Sequence, residues 1–264
     1  MLAREWRYFL LALGFFTRIP IPRYVDFHEA ELNHAAKYFP LVGAVVGLAG
    51  AITFVLAQFV LPQAIAVLVS MTTTIYLTGA FHEDGLADSA DGLGGGWERE
   101  QMLTIMQDSR IGTYGALALI GVLVAKFQAL SYMPMLFVPL MLIAGHALSR
   151  LCAVWVMATA EYAKPSGKAK PLATHISMTH LLIANVLGLL PWLSLIGLMV
   201  ASHHPTNMMI RFVVMTLTPV LIAWIWWRAK LLKHLQGYTG DTLGATQQIT
   251  ELMFYLGALV WSLQ

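Results

Sequence analysis

The feature that most constrains this chain is a series of apolar runs with little or no charge, each close to the roughly 20 residues that cross a hydrocarbon core. They cover residues 39–61, 63–81, 114–133, 134–160 and 180–201. A sixth run, 212–227, is shorter and has Arg211 and Arg228 at its ends as anchors. Residues 252–264 are too short to settle between spanning, lying in the interface and packing on the bundle. Composition agrees, with 58% hydrophobic and 11% charged residues, against about 25% charged in a soluble domain. The expected fold is all-α, a polytopic transmembrane helical bundle of about six or seven spans with cytosolic catalytic loops. A single membrane domain accounts for residues 1–264.

Charge distribution orients that bundle. Traced in order, the charged stretches 1–38, 82–113, 161–179 and 228–251 fall on one side, and the connections at Pro62, 133–134 and 202–210 on the other. The first set holds thirteen of the 16 Lys and Arg, so the positive-inside rule puts it in the cytosol. Thirteen of the 14 acids lie there too, with Glu251 at the edge of the last segment. The net charge of +2 argues neither for nor against nucleic acid, but no basic cluster of the needed density exists, so no nucleic-acid partner is expected. Arg4 and Arg7 precede the apolar run 8–16, but the following TRIPIPR offers no small-residue cleavage site. This start reads as a retained interfacial or re-entrant helix broken by Pro20 and Pro22. The one cysteine, Cys152, rules out an internal disulfide and reads as a small core residue.

The chemistry gathers at HEDGLADSADGLGGGW, residues 82–97, where Glu83, Asp84, Asp88 and Asp91 crowd directly behind an apolar segment. If the preceding helix continues through Asp91, then Asp84, Asp88 and Asp91 form a stripe about 60° wide. Like charges stacked in this way repel, so the stripe predicts one or two bound divalent cations, Mg²⁺ or Mn²⁺ rather than Zn²⁺ for oxygen-only ligands. Gly92, Gly94, Gly95 and Gly96 then end any helix and allow close backbone approach to a ligand. Asp108, Ser109 and Arg110 before the helix start at Gly112 suit a phosphate, which an Arg fork binds bidentately and helix amides assist. An ordinary solvated loop is the plainer alternative.

Lys126 lies about three turns into its span, and His146 and Arg150 share a face of the next at i and i+4. Charge at that depth costs several kcal/mol unless paired or hydrated, which makes both cations candidates for a site or an ion pair. The late loop LQGYTGDTLGATQQ surrounds Asp241 with Gly237, Gly240 and Gly244, and Asp241 is either a site carboxylate or a helix cap. Lys164, Lys168 and Lys170 read as a membrane-surface patch, with nucleotide phosphate binding as the alternative. Trp224, Trp226, Trp227 and Tyr238 read as interfacial anchors.

Four separated motifs carry a family resemblance. HEDGLADSADGLGGG, MQDSRIGTYG, FTRIPIP with YFPLVGAVVG, and GYTGDTLGA together resemble the cobalamin synthase family, the adenosylcobinamide-GDP ribazoletransferases of the vitamin B12 nucleotide-loop pathway, over about residues 16–245. The resemblance implies joining of adenosylcobinamide-GDP to α-ribazole, or its 5′-phosphate, to give adenosylcobalamin or its phosphate, with release of GMP and a requirement for Mg²⁺. It also implies an integral protein of the bacterial inner membrane, set in the lipid bilayer. The core from Asp84 to Asp91 is similar to the aspartate motif of CDP-alcohol phosphatidyltransferases, with Asp88 where those enzymes carry Arg.

The matching mechanism is displacement at a diphosphate, which consists mainly of positioning and charge neutralisation. Asp84, Asp88 and Asp91 would hold Mg²⁺. Arg110 and Arg150 would bind non-bridging oxygens, with Asp241 and Lys126 as further substrate-binding candidates. Glu83 or Asp91 would accept the hydroxyl proton. Three acids crowd one small octahedral ion, so one of them would act through water or hold a second ion. A large corrinoid implies a wide cytosolic cleft. The competing readings are a CDP-alcohol phosphotransferase making lipid and a cation-coupled secondary transporter. The sequence leaves oligomeric state open.

Overall fold

A computed structural model describes residues 2–23, 25, 29–163 and 176–264. The lysines at 164, 168 and 170 lie outside the described residues. The elements are α1 (Leu2–Phe16), α2 (Glu29–Ala35), a 3-10 turn (Ala36–Tyr38), α3 (Phe39–Gln58), α4 (Gln63–Thr78), α5 (Phe81–Gly95) and α6 (Arg99–Ile105). Then come α7 (Thr113–Tyr132), α8 (Val138–Thr159), α9 (Met178–Ala201), α10 (Thr206–Leu235) and α11 (Gly240–Ser262). Five helical stretches are long and apolar enough to cross a membrane, or six if the bent pair α4 and α5 counts as one span. Helices satisfy their own backbone groups, which is what a hydrocarbon environment demands. The architecture is that of a polytopic helical membrane protein.

α8 is the hub. Its span is 83% buried, whereas those of α7, α9 and α10 are each 22% buried. α3 comes onto α8 through Gly43 and Gly47, one turn apart. A Cβ at Gly47 would meet Leu142 O at 2.6 Å, and one at Gly43 would overlap His146 O. Small residues at this spacing let two backbones touch where lipid offers no hydrophobic drive. α1 is too short to span at about 22 Å and packs instead on the following segments. Its Glu5 takes Lys37 at 2.6 Å, and Arg7 reaches Glu31 at 2.9 Å.

The acids do not continue the preceding helix. α4 stops at Gly79 and Ala80, both left-handed with φ of 65° and 60°. Ala80 N donates to Ile75 O and Gly79 N to Tyr76 O, at 2.9 and 3.1 Å, so the last carbonyls of α4 are satisfied. The left-handed conformation costs the alanine about 1–2 kcal/mol, and the early FTRIPIP segment braces it. Arg18 N donates to Leu77 O at 2.7 Å, and the Arg18 guanidinium lies 5.1 Å from the Tyr76 ring centre. α5 then leaves at 85° and lies across the end of the bundle. The glycine run also differs from expectation, because α5 passes through Gly92 and Gly94 before ending at Gly95. A Cβ would meet Met106 Cγ at 2.5 Å from Gly92 and Tyr114 Cγ at 2.6 Å from Gly94. The missing side chains make α5 thin enough for its neighbours to close on it.

Two late elements are longer than the sequence suggested. α10 runs 30 residues, from 206 to 235, because its basic end stays helical beyond the apolar core. α11 starts at Gly240, so most of the expected last loop is helix. Thr239 caps it: its hydroxyl accepts from Thr242 N, and Thr242 Oγ1 accepts from Thr239 N. The expected alternative of Asp241 as cap is thereby replaced.

The charged connections meet at one end. Arg99 Nε donates to Leu235 O at 2.8 Å, Tyr238 N to Glu161 O at 2.9 Å, and Ala163 N to Tyr238 O at 2.8 Å. At the other end Gln63 Nε2 ties the α3–α4 turn to Met133 O at 2.7 Å.

Candidate functional site

α5 crosses the start of α11 at two glycines. A Cβ on Gly85 would strike Asp241 O at 2.6 Å, and one on Gly244 would lie 3.3 Å from His82 Cα. The crossing brings the first turn of α11, with Asp241, onto the acid-bearing helix. Glu83 points about 100° away from Asp84, and Asp91, two turns along α5, reaches the amino end of α7, so the four acids meet different surroundings. Asp84 is exposed, Asp88 and Glu83 are half-buried and Asp91 is buried.

Asp91 faces the amino end of α7. Its Oδ2 accepts from Gly112 N at 2.7 Å and its Oδ1 from Gly115 N at 2.9 Å. A carboxylate against a helix amino terminus is favoured by the amides and by the helix dipole. The amide donors expected to assist a phosphate beside Arg110 are therefore occupied by the chain's own anion. Asp91, a candidate metal ligand and base, is engaged through both oxygens in holding the loop to α5.

Among the described residues no group of three His, Cys, Asp or Glu side chains is placed to hold a metal ion. An all-protein cage therefore does not form around the aspartate stripe. Asp84, exposed, and Asp88, half-buried, lie one turn apart on α5. This set fits Mg²⁺, which keeps several waters and is bound by one or two carboxylates together with substrate phosphates.

Glu83 turns into the bundle instead. Its Oε1 accepts from Gln248 Nε2 at 2.9 Å, and its Oε2 is buried without a hydrogen-bond partner. Behind it lies a polar network that spans three helices. Lys126 Nζ donates to Gln248 Oε1 and to Glu251 Oε1, both at 2.7 Å. Glu251 Oε2 is 3.0 Å from His146 Nδ1 and also accepts from Gln247 Nε2. Arg150 Nη1 donates to His146 O at 3.0 Å. Two cations, Lys126 and Arg150, and two acids, Glu83 and Glu251, thus occupy one buried region whose formal charges cancel.

The structure separates the substrate-binding candidates. Lys126, expected at substrate, is committed to a buried ion pair with Glu251 and to Gln248. Arg150 is buried, its Nε has no hydrogen-bond partner, and it lines a cavity of about 20 Å³ with Gly240 and Gly244 of α11 under the Phe16 and Phe39 rings. Arg110 lies on the loop with its side chain 87% exposed. Its fork closes on Asp108, with Nε 3.0 Å from Oδ1 and Nη2 2.6 Å from Oδ2. The hydrogen-bonded guanidinium pulls the Asp108 carboxyl down to about 2.

The two cavities beside α5 are far smaller than the wide cleft expected for a corrinoid. The cavities at Arg150 and at Glu83 are about 20 Å³ each, room for about one water. Larger hollows of about 260 and 320 Å³ lie at the opposite end, beside Trp261 and beside Phe59. Close packing of α5 on α11 through Gly85 and Gly244 leaves the acid-bearing end narrow.

Sequence reasoning missed Gln247, Gln248 and Glu251. Their signal is TQQITE, a polar patch with residues at i, i+1 and i+4 inside an otherwise apolar last segment, which an average over the whole run conceals.

Residues 8–259 match the family model described as cobalamin-5-phosphate synthase. The chain is 44% identical to the adenosylcobinamide-GDP ribazoletransferase of Shewanella amazonensis, over 98% of this chain and 97% of that protein. It is 43% identical to the protein of the same name from Ralstonia pickettii, over 98% of both chains. No solved structure matches it. With a family model matched over almost its whole length and relatives aligned from end to end, the chain belongs to the cobalamin-5-phosphate synthase family.

Proposed function

We propose that the protein is an adenosylcobinamide-GDP ribazoletransferase, working on the cytosolic face of a bacterial inner membrane. It joins adenosylcobinamide-GDP to α-ribazole, or to α-ribazole 5′-phosphate, and releases GMP. The observation that carries this reading is the end-to-end similarity to relatives of that name, with the acid-bearing helix at the end where the charged connections gather.

In this reading the ribazole 3′-hydroxyl attacks the phosphorus that bears the cobinamide aminopropanol. The new phosphodiester forms as the bond to the bridging oxygen breaks, and GMP departs with that oxygen. Asp84 and Asp88 would hold Mg²⁺, which when bound would supply charge neutralisation at the diphosphate. Arg110 supports non-bridging oxygens by exchanging Asp108 for phosphate, and Arg150, buried next to the first turn of α11, balances the charge of Glu83 and Glu251. Asp241 shapes the same crossing. Glu83, beside Asp84 in sequence and half-buried, takes the hydroxyl proton, since both oxygens of Asp91 are already engaged.

The test is a reconstitution of the full chain in liposomes with both substrates, following GMP and the corrinoid product. Asp84→Asn and Asp88→Asn are expected to lower turnover by about 10²-fold or more at limiting Mg²⁺. Turnover equal to the unsubstituted protein at low Mg²⁺ refutes the metal assignment, and CMP released from a CDP-linked donor refutes the substrate assignment.

A further inference from the structure

We propose that Gln248 is a positioning residue that holds the Glu83 carboxylate in place, through an amide whose direction is set by Lys126. The inference rests on the reading of Glu83 as the proton acceptor.

The argument starts from what each group can offer. An ammonium has three donors and no acceptor, and a glutamine amide has one accepting oxygen and two donating hydrogens. Lys126 Nζ is 2.7 Å from one end of the Gln248 amide, so that end is the oxygen. The nitrogen then faces the other way, where it donates to Glu83 Oε1 and to Gln247 Oε1, both at 2.9 Å. Both hydrogens of the amide are used. Turning the group over would set a donor against the ammonium and an acceptor against two further acceptors, three repulsive contacts in a buried region.

The neighbours fix the arrangement from behind. Gln247 Nε2 donates to Ser149 Oγ at 3.1 Å and to Glu251 Oε2, which leaves the Gln247 oxygen toward Gln248. Lys126 is held in turn by Glu251 Oε1 at 2.7 Å. α7, α8 and α11 therefore converge on one amide, and that amide is the partner that holds Glu83. Among the described residues the second Glu83 oxygen makes no hydrogen bond, so Gln248 is the one hydrogen bond that fixes how the carboxylate is turned. Misplacement of a reacting group by about 1 Å costs on the order of 10²-fold in rate.

The experiment measures GMP release by the full-length enzyme in liposomes, giving kcat and KM for the unsubstituted protein, Gln248→Met, Gln248→Glu, Glu83→Gln and the double variants. Gln248→Met keeps the shape and removes both donors. It is expected to lower kcat by about 10- to 100-fold with KM changed by less than about 3-fold. In the Glu83→Gln background the same change is expected to cost less than about 2-fold, because residues acting through one another do not add. Gln248→Glu keeps an acceptor for Lys126 but presents oxygen to Glu83, so it is expected to lose as much as Gln248→Met. A purely structural role predicts the same loss for Gln248→Met in the Glu83→Gln background as in the unsubstituted protein, and that result overturns the proposal. If Gln248→Met does not fold, Gln248→Glu carries the same cycle. An inactive Glu83→Gln beside a Gln248→Met within about 3-fold of normal overturns the positioning role alone. A fully active Glu83→Gln overturns the proton-acceptor reading and the positioning role with it.

Discussion

Removing one charge from the Lys126–Glu251 pair has a consequence that can be sized from the contacts. Glu251 receives Lys126 at 2.7 Å, His146 at 3.0 Å and Gln247, while among the described residues Lys126 has Gln248 as its other hydrogen-bond partner. Glu251→Gln therefore leaves an ammonium in the bundle facing two amides, and Lys126→Met leaves a carboxylate facing an imidazole and an amide. Breaking a buried pair from one side costs about 3–5 kcal/mol, because the remaining charge is uncompensated. Lys126→Met with Glu251→Gln removes both charges and keeps an acceptor for His146. The double variant is expected to lose less than the sum of the singles by about 2 kcal/mol or more. At about 2–4 °C per kcal/mol for a chain of this size, each single substitution lowers the unfolding midpoint by roughly 6–20 °C. Thermal unfolding in detergent ranks the four proteins. If Lys126→Met unfolds like the unsubstituted protein while KM rises, Lys126 serves substrate directly, and the buried-pair argument fails.

Three further outcomes follow from single contacts. Asp91→Asn replaces an acceptor with an amide that meets two backbone N–H groups, so it is expected to cost about 1–3 kcal/mol and to speed hydrogen exchange at Gly112 and Gly115; unchanged exchange there refutes the tether. Gly43→Ala pushes α3 off α8 and is expected to lower the yield of folded protein, whereas Gly121→Ala, with open space around it, is expected to be neutral or to stabilise by about 1 kcal/mol; equal yields refute the close approach. Arg110→Ala is expected to raise KM for the diphosphate substrate about 10-fold without moving the unfolding midpoint, since the side chain is exposed. The Asp108 carboxyl is held down to about 2 only while Arg110 is its partner, so when phosphate takes Arg110 the released carboxyl returns to about 4 and KM is expected to fall as pH drops below about 4, an effect that Asp108→Asn removes; the same profile in Asp108→Asn refutes the exchange.

The span pattern was legible because length and apolarity are properties of contiguous sequence, and a bilayer reads the same two properties. The helical face shared by His146 and Arg150 was legible for a similar reason, as i and i+4 residues meet on any helix. What escaped is long-range. Nothing in the local sequence says that Arg18 N will donate to Leu77 O beside the left-handed Gly79 and Ala80, where α5 leaves α4 at 85°. Glycines in HEDGLADSADGLGGG suggested a loop by propensity, but Gly92 and Gly94 serve helix contact, where tertiary packing outweighs the intrinsic cost of glycine in a helix. Glu251 was hidden because its partner Lys126 lies 125 residues away, and a buried charge declares its purpose only when both halves of the pair are in view.

Four acids within nine residues of one helix would repel one another if all faced the same medium. The fold divides them. Asp91 is answered by two backbone amides, and Glu83 by Gln248 in a region whose cations and acids cancel. Asp84 and Asp88 stay on the side toward water, where the repulsion between them falls if a divalent cation binds. An orientation of α5 rotated by about 100° would bury Asp84 in the bundle without a cation and expose Glu83 in its place. The Gly85 and Gly244 crossing fixes that rotation, because a side chain at Gly85 would strike Asp241 and hold α11 away. The arrangement of charge and the arrangement of glycines are therefore one constraint, and a side chain added at Gly85 is expected to disturb metal dependence and the buried network together.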